Sequence, residues 1–190
     1  DGHLSLINRS VGDNDKTIVS IFVNPSQFNS PKDFANYPKT LDIDMALCEE
    51  AGVDVLLLPS VDEIYADQYR FQMSEMAQSG VMEGAYRPGH FTGVLTVVLK
   101  LLLLTQANNL YMGEKDYQQY ELIRDMVKAL FIDCKVIPCP TVRDKDGLAL
   151  SSRNSRLTEA DKQLAKKMNQ ILRQATDCKE AALQLEGQGF

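Results

Sequence analysis

Two histidines stand in this chain, each directly after a glycine: His3 follows Gly2, and His90 follows Gly89. His3 precedes Leu4-Ser5-Leu6-Ile7, which reads as the opening of a helix. Glycine admits close approach and a helix N-terminus favours an anion, so the Gly2-His3 pair suits a phosphate. A capping or surface histidine fits the same residues. Asn24-Pro25-Ser26-Gln27-Phe28 places amides just after an apolar run. Gln27 carries both a donor and an acceptor, which suits a hydroxy acid, although a turn that satisfies its own backbone reads the same way. Segment 83–91 combines Gly84, Gly89 and Pro88 with Arg87 and His90. A loop leading into a helix at Gly93 explains the glycines, and explains the cation and the imidazole less well.

Gly113-Glu114-Lys115-Asp116 is the most informative short run. Glycine at a strand end lets a ligand approach, lysine neutralises phosphate, and aspartate accepts from ribose hydroxyls. Asp116 is equally suited to capping the helix that follows. Gln119 lies three residues on and shares that helix face. Leu150-Ser151-Ser152-Arg153, shortly after Gly147, sets two hydroxyls beside a guanidinium, the parts of a phosphate clamp. Serine-rich loops are also common without any such role.

These groups need elements to hold them. Residues 17–23 (TIVSIFV) read as a buried strand that stops at Asn24-Pro25, where proline removes a donor. Residues 41–51 show helical spacing, with Leu41, Met45, Leu47 and Cys48 on one face and Gly52 as the stop. Residues 53–58 form a second strand, and 59–82 carry no clear period. A buried helix spans 93–104, a strand 109–112, an amphipathic helix 116–131 and a last strand 135–137, bounded by Pro138. Alternating strands and helices predict an α/β fold, a Rossmann-like parallel sheet with helices on both faces. Ligands in such sheets sit beyond the carboxyl ends of the strands, where 24–28, 113–119 and 141–154 fall. Thr158-Glu159-Ala160-Asp161 resembles an N-terminal cap, and helices over 158–176 and 177–185 follow. The domain boundary is expected near Arg156, giving a nucleotide- and acid-binding domain over 1–156 and the helical start of a smaller C-terminal domain over 157–190.

A net charge of −6 over 190 residues argues against nucleic acid as a partner, since polymer binders blanket phosphates with cations. One triphosphate needs only a local cluster. The most apolar run, 94–104, contains Lys100 and is too short for a bilayer span, so no membrane association is expected. The four cysteines fit no zinc spacing, and no side chains are assigned to a metal. A cytoplasmic protein with free thiols is the default.

Taken in order, GHLSL (2–6), SIFVNPSQF (20–28), DFANYPKTLDID (33–44), AGVD (51–54), EGAYRPGHFTGV (83–94), YMGEKDYQQ (111–119) and PTVRDKDGLALSSRN (140–154) resemble the pantothenate synthetase family of the nucleotidylyltransferase superfamily. The resemblance implies ATP-dependent joining of pantoate to β-alanine through an adenylate, with Mg²⁺ beside ATP and a homodimeric assembly. It implies that His3 is the second histidine of the family's nucleotide motif, with Asp1 and Gly2 before it. Gln27 and Gln119 then match the glutamines that hold pantoate, Gln27 also lying near β-alanine. Gly113, Glu114, Lys115 and Asp116 match the ATP-binding run, Val142 a backbone contact to adenine, and Leu150, Ser151, Ser152 and Arg153 the segment that closes on the phosphates. Asn24, Tyr37, Arg87 and His90 match pocket-lining positions. His3, Lys115, Ser151 and Arg153 are the expected catalytic residues. The family pattern also includes a first histidine and a central strand ahead of position 1, and further strands past position 190, so a piece of a longer protein is expected. A relative that transfers AMP to a phosphorylated acceptor, or a non-catalytic nucleotide binder, are the alternatives. The paired glutamines speak against the first, because a phosphate acceptor calls for more Arg and Lys.

Overall fold

A computed structural model describes residues 2–37 and 40–190. Helix α1 (Gly2–Asp13) is fastened at its far end. Asn14 Nδ2 donates to the Tyr111 hydroxyl at 2.8 Å, and Asn109 Nδ2 donates to Asn14 Oδ1 at 2.6 Å. Strand β1 (Ile18–Ser20) leads to a 3-10 turn, Pro25–Gln27, then α2 (Pro31–Ala35) and α3 (Leu41–Glu50). Gly52 stops α3 at φ +82°, and the Val53 N–H returns to the Cys48 carbonyl at 3.0 Å. This left-handed stop is one glycine adopts without strain. The apolar face expected on α3 is largely uncovered: Cys48 is buried, whereas Leu41 and Met45 are 44% and 42% exposed.

Strand β2 (Val55–Leu57) pairs in parallel with β1, Ile18 opposite Val55. Then come α4 (Val61–Ile64), whose Ser60 and Glu63 make a reciprocal capping box, α5 (Glu83–Tyr86) and α6 (His90–Thr105). Strand β3 (Asn109–Gly113) runs into a 3-10 turn, Glu114–Asp116, and α7 (Tyr117–Ala129). Strand β4 (Lys135–Cys139) pairs in parallel with β3. It continues through Pro138, opposite Met112, where termination had been expected. Proline is tolerated there because β3 is the only strand beside β4 among the described residues, so one side of β4 needs no donor.

The architecture is α/β with parallel strands, as expected. Among the described residues the strands form two parallel pairs, β1–β2 and β3–β4. The pattern of apolar residues locates strands but not their neighbours. Nor is the first pair buried as its apolar runs suggest, since Ile18 and Val55 are 40% and 49% exposed. The main core lies where α6 and α7 meet β3 and β4. Leu95 of α6 and Ile123 of α7 are wholly buried there, together with Phe91, Val94 and Met126. Burying each large aliphatic side chain contributes roughly 1.5–3 kcal/mol.

After β4 the chain forms a 3-10 segment, Ser152–Arg156, then α8 (Glu159–Gln174) and α9 (Cys178–Gly187). Thr158 and Asp161 make the cap that begins α8, as their spacing predicts. Two compact units result: His3–Pro140, and Thr141–Phe190 with Gly2. The compact units divide at Thr141, and segment 142–150 packs on α8. Lys166 pairs with Asp146 at 2.6 Å, and a Cβ on Gly147 (φ +91°) would stand 2.6 Å from Asn169 Nδ2.

Candidate functional site

In the unit His3–Pro140 the turn after β1 is clamped against the first turns of α6. A Cβ on Gly93 would lie 2.5 Å from the Ser26 carbonyl oxygen, so only glycine lets the helix come this close. Asn24, 2% exposed, bridges the contact. Its Nδ2 donates to the Gly93 carbonyl (3.2 Å) and to Gln27 Oε1 (3.1 Å), and its Oδ1 accepts from the Ser26 hydroxyl (2.9 Å) and the Tyr65 hydroxyl (2.6 Å). The Gln27 carbonyl in turn accepts from Arg87 Nη2 at 3.2 Å and from His90 Nδ1 at 2.8 Å. Burial lowers the His90 pKa, outweighing that hydrogen bond, so the ring is neutral at pH 7 and carries its proton on Nδ1 toward the carbonyl. Tyr37 reaches this turn through Phe28, whose ring it meets edge-on at 5.6 Å.

Arg87 also links this turn to α7. Its Nη1 pairs with Glu83 at 2.5 Å, and the Glu83 N–H donates to Gln118 Oε1 at 3.1 Å. Gln118 Nε2 donates to the carbonyls of Gln78 and Val81 at 2.9 and 2.8 Å. Gln27 and the first turn of α7, where Gln119 sits half-buried, are therefore joined through Arg87, Glu83 and Gln118.

Lys115 and Asp116 follow at the end of β3, both exposed. Lys115 Nζ lies 2.9 and 3.0 Å from the two Asp116 carboxylate oxygens. Asp116 makes no side-chain cap on α7, so that plain reading of it falls away. Gly113 has φ −74°, and a Cβ there would meet nothing within 4 Å. Neither backbone conformation nor packing requires glycine at 113, and the open space beside it is where a ligand could enter. Glu114 is half-buried in the 3-10 turn. His3, the second residue of α1, is exposed. Asp1 lies outside the described residues.

In the unit Thr141–Phe190, the Val142 carbonyl accepts from the Leu150 N–H at 2.9 Å, and Arg143 bridges Ala149 in antiparallel fashion. Asp144 Oδ1 accepts from the N–H groups of Asp146 and Leu148, both at 2.9 Å, which folds the loop tip. Ser151 caps the following 3-10 segment, its hydroxyl accepting from the Arg153 N–H at 3.3 Å. Ser152 and Arg153 are exposed on that segment.

Sequence reasoning passed over Tyr65, Gly93 as a contact point, and Gln118. The last was legible in part: a second glutamine beside Gln119 is a visible signal. Tyr65 lies in the stretch with no period, and nothing local distinguishes it.

Parallel strands whose carboxyl ends carry a clamped amide turn and a Gly-Glu-Lys-Asp run define an α/β protein of the small-molecule-binding kind. The chain belongs to the pantoate-beta-alanine ligase family, whose sequence model matches residues 1–188. A pantothenate synthetase of Legionella pneumophila (strain Lens) is 48% identical over 189 residues, 100% of this chain and 75% of the relative. One from Bdellovibrio bacteriovorus is 46% identical with the same coverage. Among solved structures, the pantoate-beta-alanine ligase of Francisella tularensis complexed with beta-gamma ATP and beta-alanine matches with a TM-score of 0.92 at 47% identity, covering 100% of this chain and 74% of that one. A pantothenate synthetase of Thermus thermophilus matches with a TM-score of 0.86 at 45% identity, covering 90% of this chain and 62% of that one.

Proposed function

We propose that the protein condenses pantoate with β-alanine at the expense of ATP. A pantoate carboxylate oxygen attacks the α-phosphorus and pyrophosphate leaves; the amine of β-alanine then attacks the acyl carbon of the pantoyl adenylate, loses a proton and displaces AMP. The observation that carries this reading is the match, over the whole chain, to a ligase crystallised with beta-gamma ATP and beta-alanine.

Gln27 and Gln119 are proposed to hold pantoate, and the bonds that join them through Arg87, Glu83 and Gln118 support one shared acid site. Arg87 and His90 then serve by fixing the Gln27 main chain, and Tyr37 by packing on Phe28. The triphosphate would be taken by His3, Lys115, Ser151, Ser152 and Arg153, with Asp1, Gly2, Gly113, Glu114, Asp116, Val142 and Leu150 around the nucleotide. Developing charge sits on phosphate oxygens, so these groups act by position and electrostatics. Mg²⁺ would ride on the triphosphate, as a small hard cation that keeps to phosphate oxygens and water. The family resemblance supports a homodimer, and the free thiols support a cytoplasmic setting; among the described residues no helix is long and apolar enough to cross a membrane.

Pyrophosphate release by the full-length protein, with pantoate and β-alanine each omitted in turn, tests the reading. Release is expected to require pantoate, and AMP with amide to appear once β-alanine is present. Release that ignores pantoate would overturn it.

A further inference from the structure

We infer that Tyr65 is a positioning residue for substrate recognition, acting through Asn24 to present the amide of Gln27 as a hydrogen-bond donor. This rests on the reading of Gln27 as a pantoate-holding residue. Tyr65 is 4% exposed, and its hydroxyl donates to Asn24 Oδ1 at 2.6 Å. Burial raises the phenol's pKa, so it remains a donor through neutral pH. The Ser26 hydroxyl donates to the same oxygen at 2.9 Å. Three donors on one oxygen, the Ser26 N–H at 3.3 Å being the third, with the Gly93 carbonyl facing the nitrogen, allow a single orientation of the Asn24 amide. Asn24 Nδ2 must then point at Gln27, and only Gln27 Oε1 can accept from it, at 3.1 Å. Gln27 Nε2 is left as the end with no protein partner among the described residues. A flipped Gln27 would set two NH₂ groups against each other and offer its oxygen to an anionic substrate.

The tyrosine is itself held rigid from behind. Its ring stacks on Tyr69 with centroids 4.1 Å apart, and Lys100 Nζ sits 4.9 Å above its centroid. Lys100 is anchored to Asp67 at 2.6 Å and to the Ile64 carbonyl at 2.7 Å. An aromatic residue needed only to fill this space would do as phenylalanine. The hydroxyl serves the amide that sets Gln27, and it also lies 2.9 Å from the Ser26 hydroxyl, the neighbouring donor to that amide.

Tyr65→Phe keeps the ring and its stacking and deletes only the donor. In the full-length protein it is expected to raise the KM for pantoate about tenfold, the usual scale of one lost buried hydrogen bond, with kcat and the KM for ATP within about twofold. The melting temperature, measured alongside, should fall only slightly. Because Tyr65 acts through Gln27, its effect on pantoate should vanish when Gln27 is already alanine. Ser26→Ala, which removes the other hydroxyl donor from the same oxygen and leaves the backbone one, should give a smaller rise of the same kind and serves if Tyr65→Phe does not fold. Should Gln27→Ala leave the pantoate KM unchanged, the role of Gln27 itself fails. If Gln27→Ala raises it but Tyr65→Phe does not, or Tyr65→Phe raises it equally in both backgrounds, the positioning role is overturned.

Discussion

Lys115 and Asp116 are found paired with each other, although one was expected on phosphate and the other on ribose. The pair is exposed, its side chains 38% and 53% accessible, and such pairs contribute about 0–1 kcal/mol. An arriving triphosphate can therefore take the ammonium from the carboxylate at little cost, leaving Asp116 to accept from hydroxyls. If Lys115 stabilises transition-state charge as proposed, Lys115→Ala is expected to slow adenylate formation by about 10²–10³ while leaving the melting temperature unchanged, since the exposed side chain supports no packing. Rapid-quench measurement of pyrophosphate decides this, and near-normal turnover would remove Lys115 from the chemistry. The adjacent glutamines should separate as clearly. Gln119→Ala is expected to raise the pantoate KM far more than the ATP KM. Gln118→Ala breaks three hydrogen bonds to the 78–83 loop and should lower stability, by about 1 kcal/mol, before it touches either constant selectively. Equal effects of Gln119→Ala on both substrates would assign it a structural part.

Between elements, two glycines that look alike in the sequence do opposite things. Gly93 lets α6 press on the turn after β1, and a methyl group there would stand 2.5 Å from the Ser26 oxygen. Gly93→Ala should force helix and turn apart, costing about 1–3 kcal/mol in stability and weakening pantoate binding with it. At Gly113 a methyl group meets nothing and φ is ordinary, so Gly113→Ala should fold normally, and any loss should appear in the KM for ATP. Urea midpoints with both Michaelis constants test the pair; a destabilised Gly113→Ala would show that the open space is needed by the fold. This contrast marks what the residues made legible. Periodicity and end signals located α3, α6, α7 and α8, because Gly52 and Thr158 act within one turn of chain. The function of Gly93 depends on a segment about 67 positions earlier, beyond the reach of local pattern. Residues 59–82 were unreadable for a related reason. They are held by side chains caught on backbone, such as the Glu75 carboxylate accepting from the N–H groups of Ala77, Gln78 and Ser79. The amide positions Gln27 and Gln119 were visible as polar residues past strand ends; the bonds that join them were not.

At the scale of the whole molecule, the net charge of −6 and the paired acids pull stability in different directions as pH falls. Neutralising carboxylates relieves general self-repulsion, which by itself favours the folded state in mild acid. Specific groups oppose this. Hydrogen bonding to Lys100 holds Asp67 down at about 2, and Lys16 and Lys166 likewise lower Asp54 and Asp146. Each depressed folded pKa gives stability that is present above the unfolded carboxylate value of about 3.9 and is lost as pH falls through the folded one. His90 is depressed as well, by burial first, with Arg87 adding to it and the Gln27 carbonyl, Glu83 and Asp116 opposing. Its contribution is present above the unfolded histidine value of about 6.5 and declines below it. Urea midpoints are therefore expected to fall in two steps, a shallow one below about pH 6.5 and a steeper one below about pH 4. Asp67→Asn should flatten the second step and His90→Gln the first, the latter also loosening Gln27 and so raising the pantoate KM. A midpoint that stays level from about pH 6.5 to about pH 5 in the unaltered protein would mean that the His90 ring takes up a proton as readily in the fold as out of it. The neutral ring donating to the Gln27 carbonyl would then have to be abandoned, and with it the coupling of that turn's shape to pH.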